Sequence, residues 1–118
     1  AFINLGIALQ ENGENTSAVE TYTKAIKLNP QNAQAYNNMG NSLKQIGELE
    51  EAIKCYKLAL GINPNYADAH SNMGSILSDM GDFDASIQSF NNALKIQPNH
   101  IDASVSFIEN LKYHLPIH

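Results

Sequence analysis

Tyr36-Asn37-Asn38-Met39-Gly40 is the stretch that decides the fold, because it returns 34 positions away in both directions. Phe2-Ile3-Asn4-Leu5-Gly6 stands upstream and His70-Ser71-Asn72-Met73-Gly74 downstream. A fixed period of this length marks stacked repeats, each a small unit that buries its apolar face only against its neighbours.

Within one period the pattern is that of two helices joined by a glycine turn. Tyr36, Met39, Gly40 and Leu43 recur at the spacing of one helix face, and Gly47 then breaks the helix. Ala52, Tyr56, Ala59 and Leu60 mark the inward face of a second helix, which Asn63-Pro64 ends. Working outward, Phe2, Leu5, Gly6 and Leu9 with Ala18, Tyr22, Ala25 and Ile26 give the first copy, closed by Asn29-Pro30. His70, Met73, Gly74 and Leu77 with Ser86, Phe90, Ala93 and Leu94 give the third, closed by Gln97-Pro98. Small residues fall where the helices of a pair must approach closely, and bulky ones fill the space between pairs.

These positions resemble the tetratricopeptide repeat, over residues 1–98 almost without gaps and in part to about 113. The resemblance implies an all-α, right-handed superhelical solenoid of antiparallel helix pairs with about seven helices. Three repeats are expected, at about 1–32, 33–66 and 67–100. Two positions depart from the pattern: His70 stands at an aromatic slot and Ser86 replaces the usual alanine. Residues 101–113 read as one terminal capping helix, with Val105, Phe107, Ile108 and Leu111 apolar, and 114–118 as a tail begun near Pro116. Ile108 occupies the slot that is glycine in the other repeats, so a partner helix cannot approach there in the same way. Phe107 and Ile108 are therefore candidate interface residues.

Composition narrows the function. The 118 residues are 43% apolar and carry a formal charge of −5, with seven basic residues, all Lys, scattered singly or in pairs. No basic stripe tracks a phosphate backbone, so nucleic acid is not an expected partner. No apolar run reaches the ~20 residues of a membrane span, so no membrane association is expected either. One cysteine, Cys55, excludes an internal disulfide and fits a reducing compartment, which makes a cytoplasmic location the expectation. Ala1 falls inside the first repeat, so a longer parent protein is expected.

No catalytic grouping emerges, and neither an enzyme nor a cofactor is expected. His114 and His118 are four apart but straddle Pro116 and lack a third ligand, so no metal site is assigned. Cys55 has no histidine at fixed spacing and reads as an inert thiol. Glu50-Glu51 and the Asp82, Asp84 pair open second helices, where negative charge favours the helix dipole by ~0.3–1 kcal/mol.

What remains is a surface. In the tetratricopeptide family the first helices of successive repeats line a groove that holds an extended peptide. Carried over by position, that groove comprises Ile3, Asn4 and Ile7 in the first repeat. The second contributes Gln34, Asn37, Asn38, Asn41, Lys44 and Gln45, and the third Asp68, Ser71, Asn72, Ser75, Ser78 and Asp79. Asn4, Asn38 and Asn72 form a column at repeat spacing. An asparagine amide offers donors and an acceptor together, so it can hold a backbone C=O and N–H without reading side chains.

This column resembles the asparagine ladder in the repeat region of O-GlcNAc transferases, which implies sequence-tolerant binding of polypeptide. Chaperone-docking members of the family instead grip a C-terminal carboxylate with two Lys, an Arg and two Asn. The matching positions here are Ile3, Ile7, Asn38, Asp68 and Asn72, of which only Asn38 fits. The leading expectation is thus a protein-interaction scaffold with an extended peptide ligand. Two alternatives stand beside it. One is an assembly module that forms a weak homo-oligomer through its terminal helices. The other is a substrate-recruiting fragment of a larger glycosyltransferase-like enzyme.

Overall fold

The computed structural model describes residues 2–114, with side chains described as far as 111. The tail residues beyond, Pro116 and His118 among them, lie outside the described residues. Every regular element among the described residues is an α-helix. The chain divides into two compact units, residues 1–64 and 65–118.

The first unit contains α1 (Phe2–Glu11), α2 (Asn15–Leu28), α3 (Ala33–Gln45) and α4 (Leu49–Ile62). Successive helices pack on one another, and the two first helices of its repeats, α1 and α3, also touch. Ala18, Tyr22 and Ala25 of α2 are buried, as are Ala35 of α3 and Ala52, Tyr56 and Ala59 of α4. The close approach within each pair is set by an aromatic ring lying on a glycine. A Cβ at Gly40 would stand 2.7 Å from Cε1 of Tyr56. Tyr56 cannot swing away, because it is fully buried and its hydroxyl donates to Asn41 Oδ1 at 2.6 Å. Tyr22 covers Gly6 in the same manner and donates to Gln10 Oε1 at 2.8 Å.

The turns and ends follow from the same residues in each copy. Gly47, between α3 and α4, has φ +86°, a left-handed conformation that a side chain would strain. After each second helix the chain turns extended, and the last amide bonds back into the helix: Asn29 N–H to the Ala25 carbonyl at 3.0 Å and Asn63 N–H to the Ala59 carbonyl at 2.8 Å. Asn32 begins α3 by accepting the Ala35 N–H at 3.1 Å, one of the donors a helix start leaves unsatisfied.

The second unit contains α5 (Ala67–Asp79), α6 (Phe83–Ile96) and α7 (Ile101–His114). Here Phe90 covers Gly74, where an added Cβ would meet three ring carbons at 3.0 Å. Phe90, Ala93 and Ala103 form a buried cluster onto which Leu94 and Phe107 pack. Asp82 does more than favour the helix dipole: its carboxylate accepts the Ala85 N–H at 3.3 Å and caps α6.

A polar joint fixes α7. Ser86 Oγ, fully buried, donates to the Gly74 carbonyl at 2.6 Å and accepts from Asn110 Nδ2 at 2.6 Å. Asn110 Oδ1 in turn accepts from Ser78 Oγ at 3.1 Å. The serine that looks from sequence like a tolerated departure from alanine is thus the anchor of the last helix.

Four outcomes in stability are expected. Gly40→Ala lowers the denaturant midpoint by an amount equivalent to ~1–3 kcal/mol, because the ring above it has nowhere to move. Gly61→Ala, with no heavy atom within 4 Å of the new Cβ, raises it by up to ~1 kcal/mol through helix propensity. Ser86→Ala, which leaves the Asn110 amide unpaired, costs ~1–3 kcal/mol in the same measurement. Ser86→Ala/Asn110→Ala costs less than the sum of the two single changes.

Candidate functional site

The residues nominated for the groove divide between the two units. In the first, Asn4 is exposed on α1, and Asn38 is half-buried on α3. Asn37, its neighbour in sequence, is only 4% exposed, and its Nδ2 lies 3.5 Å from Asn38 Oδ1. One residue is ~100° around a helix, so adjacent side chains leave it in different directions. Asn37 is part of the interior and steadies Asn38. Asn41 is half-buried with its oxygen taken by Tyr56, which leaves its amide N–H groups as its further polar contribution. Lys44 is half-buried near the end of α3.

In the second unit Asn72 and Ser75 are half-buried on α5 and Ser71 is buried. Asp68 is exposed at the start of α5, and His100 Nε2 lies 2.7 Å from its Oδ1. The other ring nitrogen, Nδ1, accepts the Ala103 N–H at 3.2 Å. That bond places the proton on Nε2, so His100 caps α7 with one nitrogen and donates to Asp68 with the other. In the sequence, only its place three residues ahead of the Ala103 amide could have indicated a cap.

The two interface candidates separate. Phe107 is half-buried against the Phe90 cluster, whereas Ile108 is 59% exposed. Sequence reasoning passed over Asn110, which is 4% exposed; a polar residue amid an apolar helix face was the available signal.

A small pocket opens beside the joint. Its volume is about 170 Å3, and it gathers Ser75, Ser78 and Asp79 of α5 with Ser106, Glu109 and Asn110 of α7. Among the described residues no three His, Cys, Asp or Glu side chains converge as a metal ion requires. No helix among them is long and apolar enough to cross a membrane.

Three groups hold their protons tightly. Cys55 is buried, and burial followed by the nearby Glu51 charge pushes its thiol up to about 11. Burial and then Glu11 push the Tyr22 hydroxyl up to about 12. Tyr56 is raised further, by burial first and by Cys55 second. These groups serve packing and not nucleophilic chemistry, since a thiol reacts as its thiolate.

Comparison with known proteins identifies the architecture. The tetratricopeptide (TPR) repeat model matches residues 6–47 and 40–81, and the Tetratricopeptide repeat model matches 67–100. The chain belongs to the tetratricopeptide repeat family. Its fold is accordingly an all-α helical repeat of the solenoid class. No curated protein sequence matches it. Among solved structures, MamA shares 27% identity and a TM-score of 0.89 over 96% of this chain, which spans 66% of the MamA chain. The first TPR of Spaghetti (RPAP3), bound to the HSP90 peptide SRMEEVD, shares 18% identity with a TM-score of 0.92, over 96% of this chain and 90% of that one. The second TPR domain of human RPAP3, in complex with the HSP70 peptide SGPTIEEVD, shares 22% identity with a TM-score of 0.88, over 94% and 92%. At these last two identities the likeness is one of fold.

Alkaline pH provides a test of the interior. For Cys55 and Tyr22 the folded chain keeps protons that the unfolded chain releases from their ordinary values of 9.0 and 10.0. The stability they supply is complete below about pH 9 and is lost as pH rises through about 11 and then about 12. Unfolding free energy measured against pH therefore falls on the alkaline side. Near-ultraviolet tyrosinate absorbance should show Tyr22 and Tyr56 ionising together with loss of helix.

Proposed function

We propose that this chain is a protein-interaction module whose first helices hold an extended peptide, with Asn4, Asn38 and Asn72 capturing its backbone. The observation that carries this reading is the state of the asparagines. Asn4 and Asn38 reach the surface on α1 and α3, two helices in contact, while the flanking Asn37 is turned inward. Asn72 takes the equivalent position on α5 by repeat spacing. Packed helices such as α1 and α3 lie about 8–10 Å apart and three extended residues span ~10 Å, so Asn4 and Asn38 suit residues three apart in a ligand. Asn41, Lys44, Asp68 and Ser75 supplement the face.

The TPR neighbours carrying chaperone peptides support a peptide ligand in general terms. The acidic tail itself does not suit this chain, because only Asn38 of the five clamp positions carries a matching residue and Asp68 would repel a carboxylate. Asp68 already engages His100 and adds negative charge to the face.

Three asparagines with two hydrogen bonds each, at ~0.5–1.5 kcal/mol net per bond, supply several kcal/mol. Association costs of ~4–15 kcal/mol offset much of that, so the three positions alone bind weakly and sequence-tolerantly. The test is a pull-down from host lysate with the wild-type chain and with Asn38→Ala/Asn72→Ala, after both are shown to have the same helicity and melting behaviour. Partners lost only with the variant are the expected result. Identical partner lists would remove the asparagine mechanism.

A further inference from the structure

We propose that Tyr22 and Tyr56 lock the side-chain amides of Gln10 and Asn41 as hydrogen-bond donors toward the peptide-binding face, and that these two groups take carbonyl oxygens of the bound segment. The inference rests on the peptide-binding reading above and gives the first unit's part of that face a fixed polarity.

An unrestrained amide side chain has no fixed polarity. A half-turn of its terminal bond exchanges oxygen and nitrogen, so it offers a ligand either an acceptor or two donors. Here one end of each amide is already committed. The Tyr56 hydroxyl donates to Asn41 Oδ1 at 2.6 Å, and the Tyr22 hydroxyl to Gln10 Oε1 at 2.8 Å, both within the usual O–H···O range. Both tyrosines are fully buried, and burial keeps both phenols protonated. The opposite amide orientation would set N–H against O–H and leave a buried phenolic hydrogen without an acceptor. Each amide is therefore held with its oxygen toward the ring and its nitrogen away from it.

The nitrogens reach solvent. Gln10 and Asn41 are both half-buried. Among the described residues, the buried side-chain polar atoms that lack a partner are Asn15 Oδ1 and Ser42 Oγ, and neither amide nitrogen is one of them. Each amide bonds a described residue through its oxygen, which leaves two N–H groups for a ligand.

Two different positions arrive at this arrangement. Asn41 is a groove position of the second repeat, and the residue 34 before it is Ile7, which has no amide. Gln10 lies about one turn beyond Ile7 and takes on α1 the register of Lys44, another groove position. Glutamine has one methylene more than asparagine, and from there its oxygen still meets the tyrosine. α1 and α3 touch, so the two donors stand on neighbouring helices. In the third repeat Phe90 takes the place of the tyrosine and has no hydroxyl to orient an amide.

The ligand chemistry follows from that polarity. A segment crossing α1 and α3 is held at these two groups through C=O oxygens, which every peptide bond supplies, whereas a peptide N–H finds no acceptor there. Tyr22 and Tyr56 are positioning residues: they touch no ligand and act through the amides they orient.

The experiment uses a library of capped peptides of about nine residues, long enough to cross neighbouring first helices. Its side chains are randomised among uncharged residues, so a new carboxylate on the protein repels none of them. Gln10→Glu/Asn41→Asp keeps an acceptor for each tyrosine and turns the outward donors into acceptors. With helicity unchanged by circular dichroism, it is expected to retain the library about tenfold less than the wild-type chain. Where that variant loses helicity, Asn41→Asp alone carries the same comparison. Tyr56→Phe frees the Asn41 amide to turn and is expected to weaken retention about threefold. In the Asn41→Asp background the same change is expected to have no effect, because a carboxylate presents oxygen either way. Equal weakening in both backgrounds assigns Tyr56 to folding alone and overturns the inference. Wild-type retention by Gln10→Glu/Asn41→Asp overturns it as well. If that retention is still lost with Asn38→Ala/Asn72→Ala, the backbone-capture reading stands without the donor lock. Retention of no peptide by the wild-type chain overturns both.

Discussion

An aromatic ring packed against a glycine of the facing helix is the contact on which each repeat depends. Tyr22 over Gly6, Tyr56 over Gly40 and Phe90 over Gly74 set how closely the two helices of a pair can lie. Buried alanines on the second helices complete that approach, at positions 18, 25, 52, 59 and 93. The two tyrosines add a hydrogen bond from the far end of the ring, to Gln10 and to Asn41. Each ring is thereby held in place as well as packed, which turns a shape requirement into a fixed geometry. Phenylalanine has no hydroxyl to anchor, and in the third pair Ser86 supplies a polar tie to the Gly74 carbonyl.

The helices were legible in the sequence because their causes are local and recur. The Asn-Pro and Gln-Pro dipeptides end α2, α4 and α6 by removing a backbone donor, and the glycines at 13, 47 and 81 turn the chain at positive φ. The features that were not legible depend on partners far apart in the chain. Asp68 meets His100 and Ser78 meets Asn110 across 32 residues, and Ser86 meets Asn110 across 24. Single polar residues carry no periodicity, so nothing in the chain pairs them before the helices are in place.

The candidate site was legible by register and less so by rotation. Carrying a groove over by position places Asn37 and Asn38 on it together, yet a helix turns ~100° per residue and only Asn38 stays outward. The same rotation sends Phe107 into the Phe90 cluster and leaves Ile108 at the surface. Asn41 shows a third outcome, in which a groove position is half used by the interior: its oxygen serves Tyr56. The chemistry that the nominated positions offer is therefore narrower than their list. It is dominated by amide and hydroxyl groups, with negative charge concentrated in the second unit.

The joint at Asn110 has one more consequence, for how a chain of near-identical parts assembles correctly. An apolar helix face can settle on any of several similar second helices, because hydrophobic contact is non-directional. The Asn110 N–H is satisfied where a hydroxyl stands in the Ser86 position, and its oxygen where a donor stands in the Ser78 position. The corresponding residues are Ala18 with Gln10 in the first repeat and Ala52 with Lys44 in the second. Docking α7 at Ala18 or Ala52 would bury an amide without the hydroxyl it requires, at a cost of ~1–3 kcal/mol. A single buried asparagine thus serves as an address label, telling the last helix which of three look-alike neighbours is its own.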